Sequence, residues 1–392
     1  MPEGATLNIS RALLPAGFTL LQVVPALGAG GVETVTVEVA AAAAAAGARS
    51  LVASHGGALE GELARRGAKL IRLPVHARDP LSLVANAARL EGIIRREKVN
   101  LVHVRSRAPA FSALAAARRA RIPAVTTYHG IYTAASPLKR WYNGVMTRGD
   151  AVIANSAFTR DHVLAEHGVA ATKVVVIPEG VDTTVFDPAA VSPGRLAAVR
   201  QAWGIAAGEP RTVILLAARL TGWKGHRLLI DALAGAAGRE RARLVFAGPG
   251  EGGDYARDLA AQAKRARVDL TIAGPCADMP AAFLAADLVA APSTLAESFG
   301  RAVAEAGATG KVVVAADLGG PAETIEDGVT GLLVPPGDAA AWSAALDRAL
   351  DMDEVGRTAM GAAARRRIGQ RYSLAAMHEA TFALYRALTG AP

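Results

Sequence analysis

The chain reads as α/β, two doubly wound parallel-sheet domains in succession. Three observations predict this. The length, 392 residues, exceeds what one hydrophobic core usually fills. Short β-branched runs alternate with helix-length stretches, the pattern of parallel strands with crossover helices. The alternation also pauses once, near the middle, in a Pro-, Asp- and Gly-rich segment, and then resumes.

The elements follow in order. In the first half the expected strands are LLQVVP, SLVAS, KLIRLP, LVHVRS, AVTTYH, AVIANS and KVVVIP, separated by Ala-rich helical segments. The segment PEGVDTTVFDPAAVSPG reads as the linker. RTVILLAAR, RLVFAG, DLTIAG, ADLVAAPS, KVVVAAD and TGLLVPPG follow as a second series. This places a first Rossmann-like domain over 18–187 and a second over 195–370. Ligands are expected at strand carboxyl ends and in a central cleft that the two domains face. A last helix, 371–390, carries Leu374, Met377, Phe382, Leu384, Tyr385 and Leu388 at a spacing that suits packing.

Composition narrows the classes. Apolar residues are 52% and charged residues 20%, a globular balance. The net charge of +8 fits three partners: nucleic acid, an anionic membrane surface or a phosphorylated substrate. There is no run of five basic residues and only 5% of residues are aromatic, so nucleic acid is disfavoured. Cys276 is the single cysteine, which rules out an intrachain disulfide and a cysteine metal cluster and suits a reducing, cytoplasmic setting. The uncharged stretch from Ala12 to Val32 is interrupted by Pro15, Gly17, Pro25, Gly28, Gly30 and Gly31. A buried strand followed by a glycine loop fits it better than a spanning helix or a signal peptide.

Two glycine motifs fail their obvious readings. GAGGVE (28–33) lacks the third glycine of a dinucleotide fingerprint, because position 33 is Glu33. What remains is a backbone that a ligand can approach closely, ahead of a helix N-terminus, or simply a tight turn. GATGK (307–311) has Glu305 and Val312 where a phosphate loop needs Gly and Ser or Thr. The acidic pair Asp351 and Asp353 falls at a helix end far from any strand terminus, and no metal site is expected.

The stretch AESFGRAVAEAGATGK (296–311) holds two acids, Glu297 and Glu305, eight residues apart. With a helix starting near Phe299, they flank the free N–H groups of its first turn. Eight helical residues rise about 12 Å, the length of a sugar nucleotide. Carboxylates suit the hydroxyl-rich ends of such a ligand and amides its diphosphate. Capping and surface acids are the plain alternative. AARLTGWKGH (217–226) places Arg219 and Lys224 in a strand-to-helix loop, where two cations can clamp a diphosphate or simply face solvent. TTYHG (126–130) puts His129 at a strand's carboxyl end, as a structural or a catalytic imidazole.

Together GAGGVET, TTYHGIY, IANSAFTRDHV, IPEGVDTTVF, AARLTGWKGH and PSTLAESFGRAVAEAGATGKVVVAADLGGPAETIEDGVTGLLVPPGD resemble the retaining glycosyltransferases of the GT-B fold, family GT4, over roughly residues 20 to 385. The resemblance implies roles. Glu297 binds donor-sugar hydroxyls and Glu305 the ribose. Amides at Ser298, Phe299 and Gly300 reach the diphosphate beside Arg219 and Lys224. Gly30 and Gly31 approach donor phosphate and acceptor, His129 stabilises the reacting sugar, and the GPCADM loop at Cys276 reads the base. Thr34 stands where Arg is frequent and Glu179 where Asn is frequent, which bears on the acceptor. It also implies that the last helix crosses back onto the first domain.

The expected activity is transfer of a hexose-type sugar from a nucleoside diphosphate sugar, UDP-linked, to an acceptor hydroxyl. Retention, no metal and no other cofactor are expected. The acceptor expectation is a glycan or lipid-linked molecule of lipopolysaccharide or another cell-surface glycan. PLKRWYNGVMTRG (137–149) mixes Lys139, Arg140 and Arg148 with Trp141, Tyr142 and Val145, as in a helix lying on an anionic membrane or in an ordinary solvated helix with a core side. A sugar-nucleotide epimerase is the alternative, but no acid–base pair for it stands out. A phosphorylase lacks an identifiable cofactor lysine, and a dead binder is disfavoured by the full set of site residues.

Overall fold

The computed structural model describes residues 14–28 and 30–390, so Ala12, Leu13 and Ala29 of the uncharged stretch lie outside it. Its thirteen strands are β1 Thr19–Val23, β2 Arg49–Ser54, β3 Lys69–Arg72, β4 Leu101–Val104, β5 Ala124–Tyr128, β6 Ala151–Ala154, β7 Val174–Val176, β8 Thr212–Ala217, β9 Ala242–Ala247, β10 Leu270–Gly274, β11 Leu288–Ala291, β12 Val312–Ala316 and β13 Leu332–Val334. Every expected run is a strand. The reason is burial on both faces. Runs such as Leu101–Val104 and Ala151–Ala154 are wholly buried, which only a helix-covered parallel sheet provides.

The first sheet has the order β3-β2-β1-β4-β5-β6-β7 and the second β10-β9-β8-β11-β12-β13. All pairs are parallel. Leu21 lies beside Leu51 on one side and Val102 on the other, and Leu215 beside Val245 and Val289. Chain direction across each sheet therefore reverses at β1/β4 and at β8/β11. In such sheets the crevice at the carboxyl ends of the two reversing strands is where ligands bind.

The chain divides into two compact units, 1–180 with 374–392, and 181–373. The division falls after Gly180, not after Asp187. Val181 and Phe186 of the expected linker are buried in the second unit's core. The returning segment starts at Leu374, since 371–373 stay with the second unit and Val181 bridges Ser373. The helix Leu374–Thr389 buries Met377, Phe382 and Tyr385 against the core of β1, β5 and β6, with Leu374, Leu384 and Leu388 partly covered there. Each fully buried side chain contributes on the order of 2 kcal/mol.

The 137–149 segment has the core side of the solvated-helix reading, but it is not one continuous helix. Only Pro137–Asn143 is α-helical; Gly144–Thr147 continues as a 3-10 turn. Val145 is buried in the first unit's core, while Leu138 and Trp141 are exposed. Asp351 and Asp353 occupy helix ends, Asp353 capping Glu354–Arg371 and Asp351 pairing with Arg241 at 2.6 Å.

Candidate functional site

In the second unit the site forms where β8 and β11 end. After β8 the chain makes a 3-10 turn, Gly222–Lys224, and enters the helix His226–Gly235 through Gly225. Gly225 has φ +78, and a Cβ there would lie 1.9 Å from the Pro292 carbonyl, so the two loops touch backbone to backbone. Thr294 N–H donates to the Trp223 carbonyl at 2.8 Å and closes the same seam. Lys224 is thereby brought to Glu297, with Nζ 2.7 Å from Oε2. Ser293, buried, donates its hydroxyl to Glu297 Oε1 at 2.5 Å. Lys224, Ser293, Glu297 and Gly300 line one pocket with the ends of β8 and β11.

The stretch after Glu297 is tighter than a continuous helix. The helix runs Arg301–Ala308 and so starts two residues later than Phe299. Gly300 interrupts, with φ +86 and no room for a Cβ, which would sit 2.6 Å from Pro321 Cγ. The span from Glu297 to Glu305 is therefore half loop and half helix, and the regular 12 Å rise does not apply. Gly320 braces this loop. Its N–H donates to the Glu297 carbonyl at 2.8 Å, and a Cβ there would meet Phe299 Cα at 2.4 Å. Phe299 itself is buried beside Val303 in the core.

The other expected residues of this unit have settings of their own. Arg219 is exposed just past β8. Glu305 faces Arg301 one turn earlier, 3.3 Å from its Nε. Ser298 is half-buried in the bracing loop. Cys276 is half-buried after β10, its Sγ 3.5 Å from the Asp278 carbonyl, and burial pushes the thiol pKa up. Asp278 fixes that loop by accepting from Ala281 N–H and pairing with Arg195 at 2.7 Å.

In the first unit Gly30 caps and Gly31 opens the helix Gly31–Ala45, after the end of β1. The Glu33 carboxylate curls back over this N-terminus, 2.4 Å from where a Gly30 Cβ would be. An anion seated there would have to displace it. His129 follows β5, nearly fully buried, its Nδ1 3.3 Å from Glu179 Oε1. Asn155, after β6, donates to the same oxygen at 3.0 Å. Arg105, after β4, is buried and donates to Gln22 Oε1 at 2.6 and 2.9 Å. Desolvation lowers the His129 pKa, the Glu179 contact raises it again, and Arg105 lowers it. His103 joins the last helix to this group, Nδ1 2.5 Å from Tyr385 Oη and Nε2 2.6 Å from Thr127 Oγ1.

Sequence reasoning missed Ser293 and Arg105, noted Glu179 only as a departure from the family pattern, and gave Gly320 no role. A serine four residues ahead of Glu297 was a usable signal. Arg105 and Glu179 carried none, because they meet only through strand order.

The fold and these sites define a class of protein with two Rossmann-like domains in succession, each carrying polar residues at its switch point. Residues 29–185 match the model of Glycosyltransferase Family 4, and residues 200–367 that of Glycosyl transferases group 1. A glycosyltransferase structure from Rickettsia africae is 30% identical, with a TM-score of 0.87, covering 95% of this chain and 98% of that one. The Anabaena protein HepE, solved with UDP and glucose, is 26% identical at a TM-score of 0.81, covering 95% and 100%. A D-inositol 3-phosphate glycosyltransferase of Kineococcus radiotolerans is 38% identical over 262 residues, 62% of this chain and 58% of that protein. The chain thus spans about half the length of the curated relatives it matches. This chain belongs to glycosyltransferase family 4, with the GT-B fold.

Proposed function

We propose that the chain transfers a sugar from a UDP-sugar to an acceptor hydroxyl, with retention and without a metal. The observation that carries this is the Lys224–Glu297–Ser293 cluster at the β8/β11 switch point, beside the helix N-terminus that follows Gly300. As the bond between sugar C1 and the diphosphate oxygen breaks, negative charge builds on the diphosphate. Lys224, Arg219 and the amides of Ser298, Phe299 and Gly300 are the groups this reading assigns to that charge. Glu297 accepts hydroxyls of the transferred sugar and Glu305 those of the ribose. Gly30 and Gly31 border the acceptor side, the Cys276 loop meets the base, and His129 serves the reacting sugar. The family membership and the UDP-bound HepE neighbour support this reading.

For the acceptor, a cyclitol phosphate is supported by the names of the curated relatives, and a lipid-linked glycan by the exposed Leu138 and Trp141 beside Lys139. Among the described residues no helix is long and apolar enough to cross a membrane; the lipid-facing version of this reading is peripheral contact of 137–149 with an anionic inner face. Co-sedimentation with anionic vesicles at low salt tests it, and lack of binding removes the lipid-facing version.

A thermal-shift panel of nucleotide sugars tests the donor, since a bound donor raises Tm by mass action. UDP should appear only when an acceptor is supplied, and retention is read from the product's anomeric configuration. UDP-sugar isomerised with no UDP released would instead mean an epimerase. Turnover lost in EDTA and restored by a divalent ion would overturn metal independence.

A further inference from the structure

Strand order brings three loops of the first unit together. β5, β6 and β7 are neighbours, and their carboxyl ends carry His129, Asn155 and Glu179. Glu179 Oε1 faces the ring Nδ1 at 3.3 Å and takes the Asn155 amide at 3.0 Å. Asn155 is itself held, its Oδ1 accepting from Thr159 Oγ1 at 3.0 Å. Both partners of the contact are buried, with side-chain exposures of 2% and 9%. An ionised carboxylate only accepts, so the atom facing it must carry a proton.

We propose that Glu179 is a positioning residue that holds His129 in the Nδ1–H tautomer, leaving Nε2 to accept a hydrogen bond or a proton from a substrate hydroxyl. This rests on the reading of His129 as the imidazole at the reacting sugar. The logic is that of a carboxylate that orients a catalytic histidine without itself taking the proton. The charges bearing on the ring are Glu179 and Glu33, which favour its protonated form, and Arg105, which opposes it.

The test combines ring 15N shifts of His129, assigned by their loss in His129→Ala, with kinetics of Glu179→Leu, Glu179→Gln, His129→Ala and the Glu179→Leu/His129→Ala double variant. Wild type should show Nδ1–H. Glu179→Leu removes the acceptor and should populate Nε2–H while lowering kcat at least tenfold, with the donor-induced Tm shift unchanged. Glu179→Gln keeps an acceptor oxygen but not the charge, so kcat should stay within about threefold and the acid limb of the pH profile should move to lower pH. Glu179→Leu should add nothing to His129→Ala. Nε2–H in wild type, or one tautomer throughout, overturns the proposal whatever the activity. So does an additive loss, or wild-type kcat in Glu179→Leu. If the leucine variant does not fold, an unshifted acid limb in Glu179→Gln overturns it. A correct tautomer with no sugar transfer from any donor would overturn the function reading instead.

Discussion

His129 and His226 are both buried imidazoles placed just past strand ends, one in each domain, and they are held in opposite ways. His129 faces a carboxylate, which returns part of the proton affinity that burial removes. His226 opens the helix behind Lys224 and packs edge-on against Phe246, with centroids 4.9 Å apart, and against Tyr255 at 6.1 Å. No carboxylate offsets its burial, and desolvation lowers its pKa to about 4, with Lys224 pushing the same way. Burial thus leaves one ring with a carboxylate partner and the other neutral as a wedge. The difference lies in the partner, not in the depth.

The largest expected effect breaks this contrast by pH. A His226 pKa near 4 when folded, against the ordinary 6.5, means the unfolded chain takes up the proton first as pH falls. Stability is unaffected above pH 6.5, declines between 6.5 and 4, and is lowered by on the order of 3 kcal/mol below that. His226→Phe keeps the aromatic packing and should flatten this part of a stability–pH curve measured by urea melts. A variant with the wild-type slope would show that His226 is not the group responsible.

Next in size is the chemistry that His226 backs. Glu297→Gln and Lys224→Ala should each lower kcat/KM at least about tenfold, about 1.4 kcal/mol. They share one ion pair, so the double variant should lose less than the product of the two single losses. Near-wild-type kinetics in both singles would remove the pair from the site.

How much of this could be read beforehand follows the same contrast. The strands were legible because parallel strands buried on both faces need β-branched runs, and Val312–Ala316 could hardly be anything else. The loop positions of Glu297 and Lys224 were legible because strand-to-helix loops announce themselves by glycine. The helix start at Arg301 was not, since the left-handed Gly300 is packed without room for a Cβ against Pro321, which comes from the distant short helix Gly320–Thr324. The boundary at Gly180 was missed because Val181 and Phe186 look like linker until their burial in the second core is known. The core side of 137–149 was open between two readings, because a short helix followed by a 3-10 turn shifts the phase of Val145. Glu179 and Arg105 depend on strand order, which no local pattern encodes.

A smaller effect sharpens the pocket side. Ser293→Ala removes the hydroxyl that orients Glu297 and should cost about 1 kcal/mol, roughly fivefold in kcat/KM. Pre-steady-state rates should fall with it, because the lysine contact alone leaves the carboxylate free to rotate. If Ser293→Ala matches wild type, Lys224 alone sets the carboxylate's orientation.

The smallest effect belongs to Arg301. Its Nε lies 3.3 Å from Glu305 one turn on, with exposures of 24% and 14%. A helix pair of this kind is worth only about 0.3–0.5 kcal/mol. Arg301→Ala should therefore barely move Tm. If Glu305 binds ribose hydroxyls, though, the same substitution removes an arginine that now engages its carboxylate, and donor KM should change more than stability does. The comparison is between a denaturation curve and a donor titration on one variant. A KM shift of twofold or more with Tm within about a degree assigns Glu305 to the ligand. Equal, negligible changes in both leave it a helix-surface acid, as the plain reading of its sequence had it.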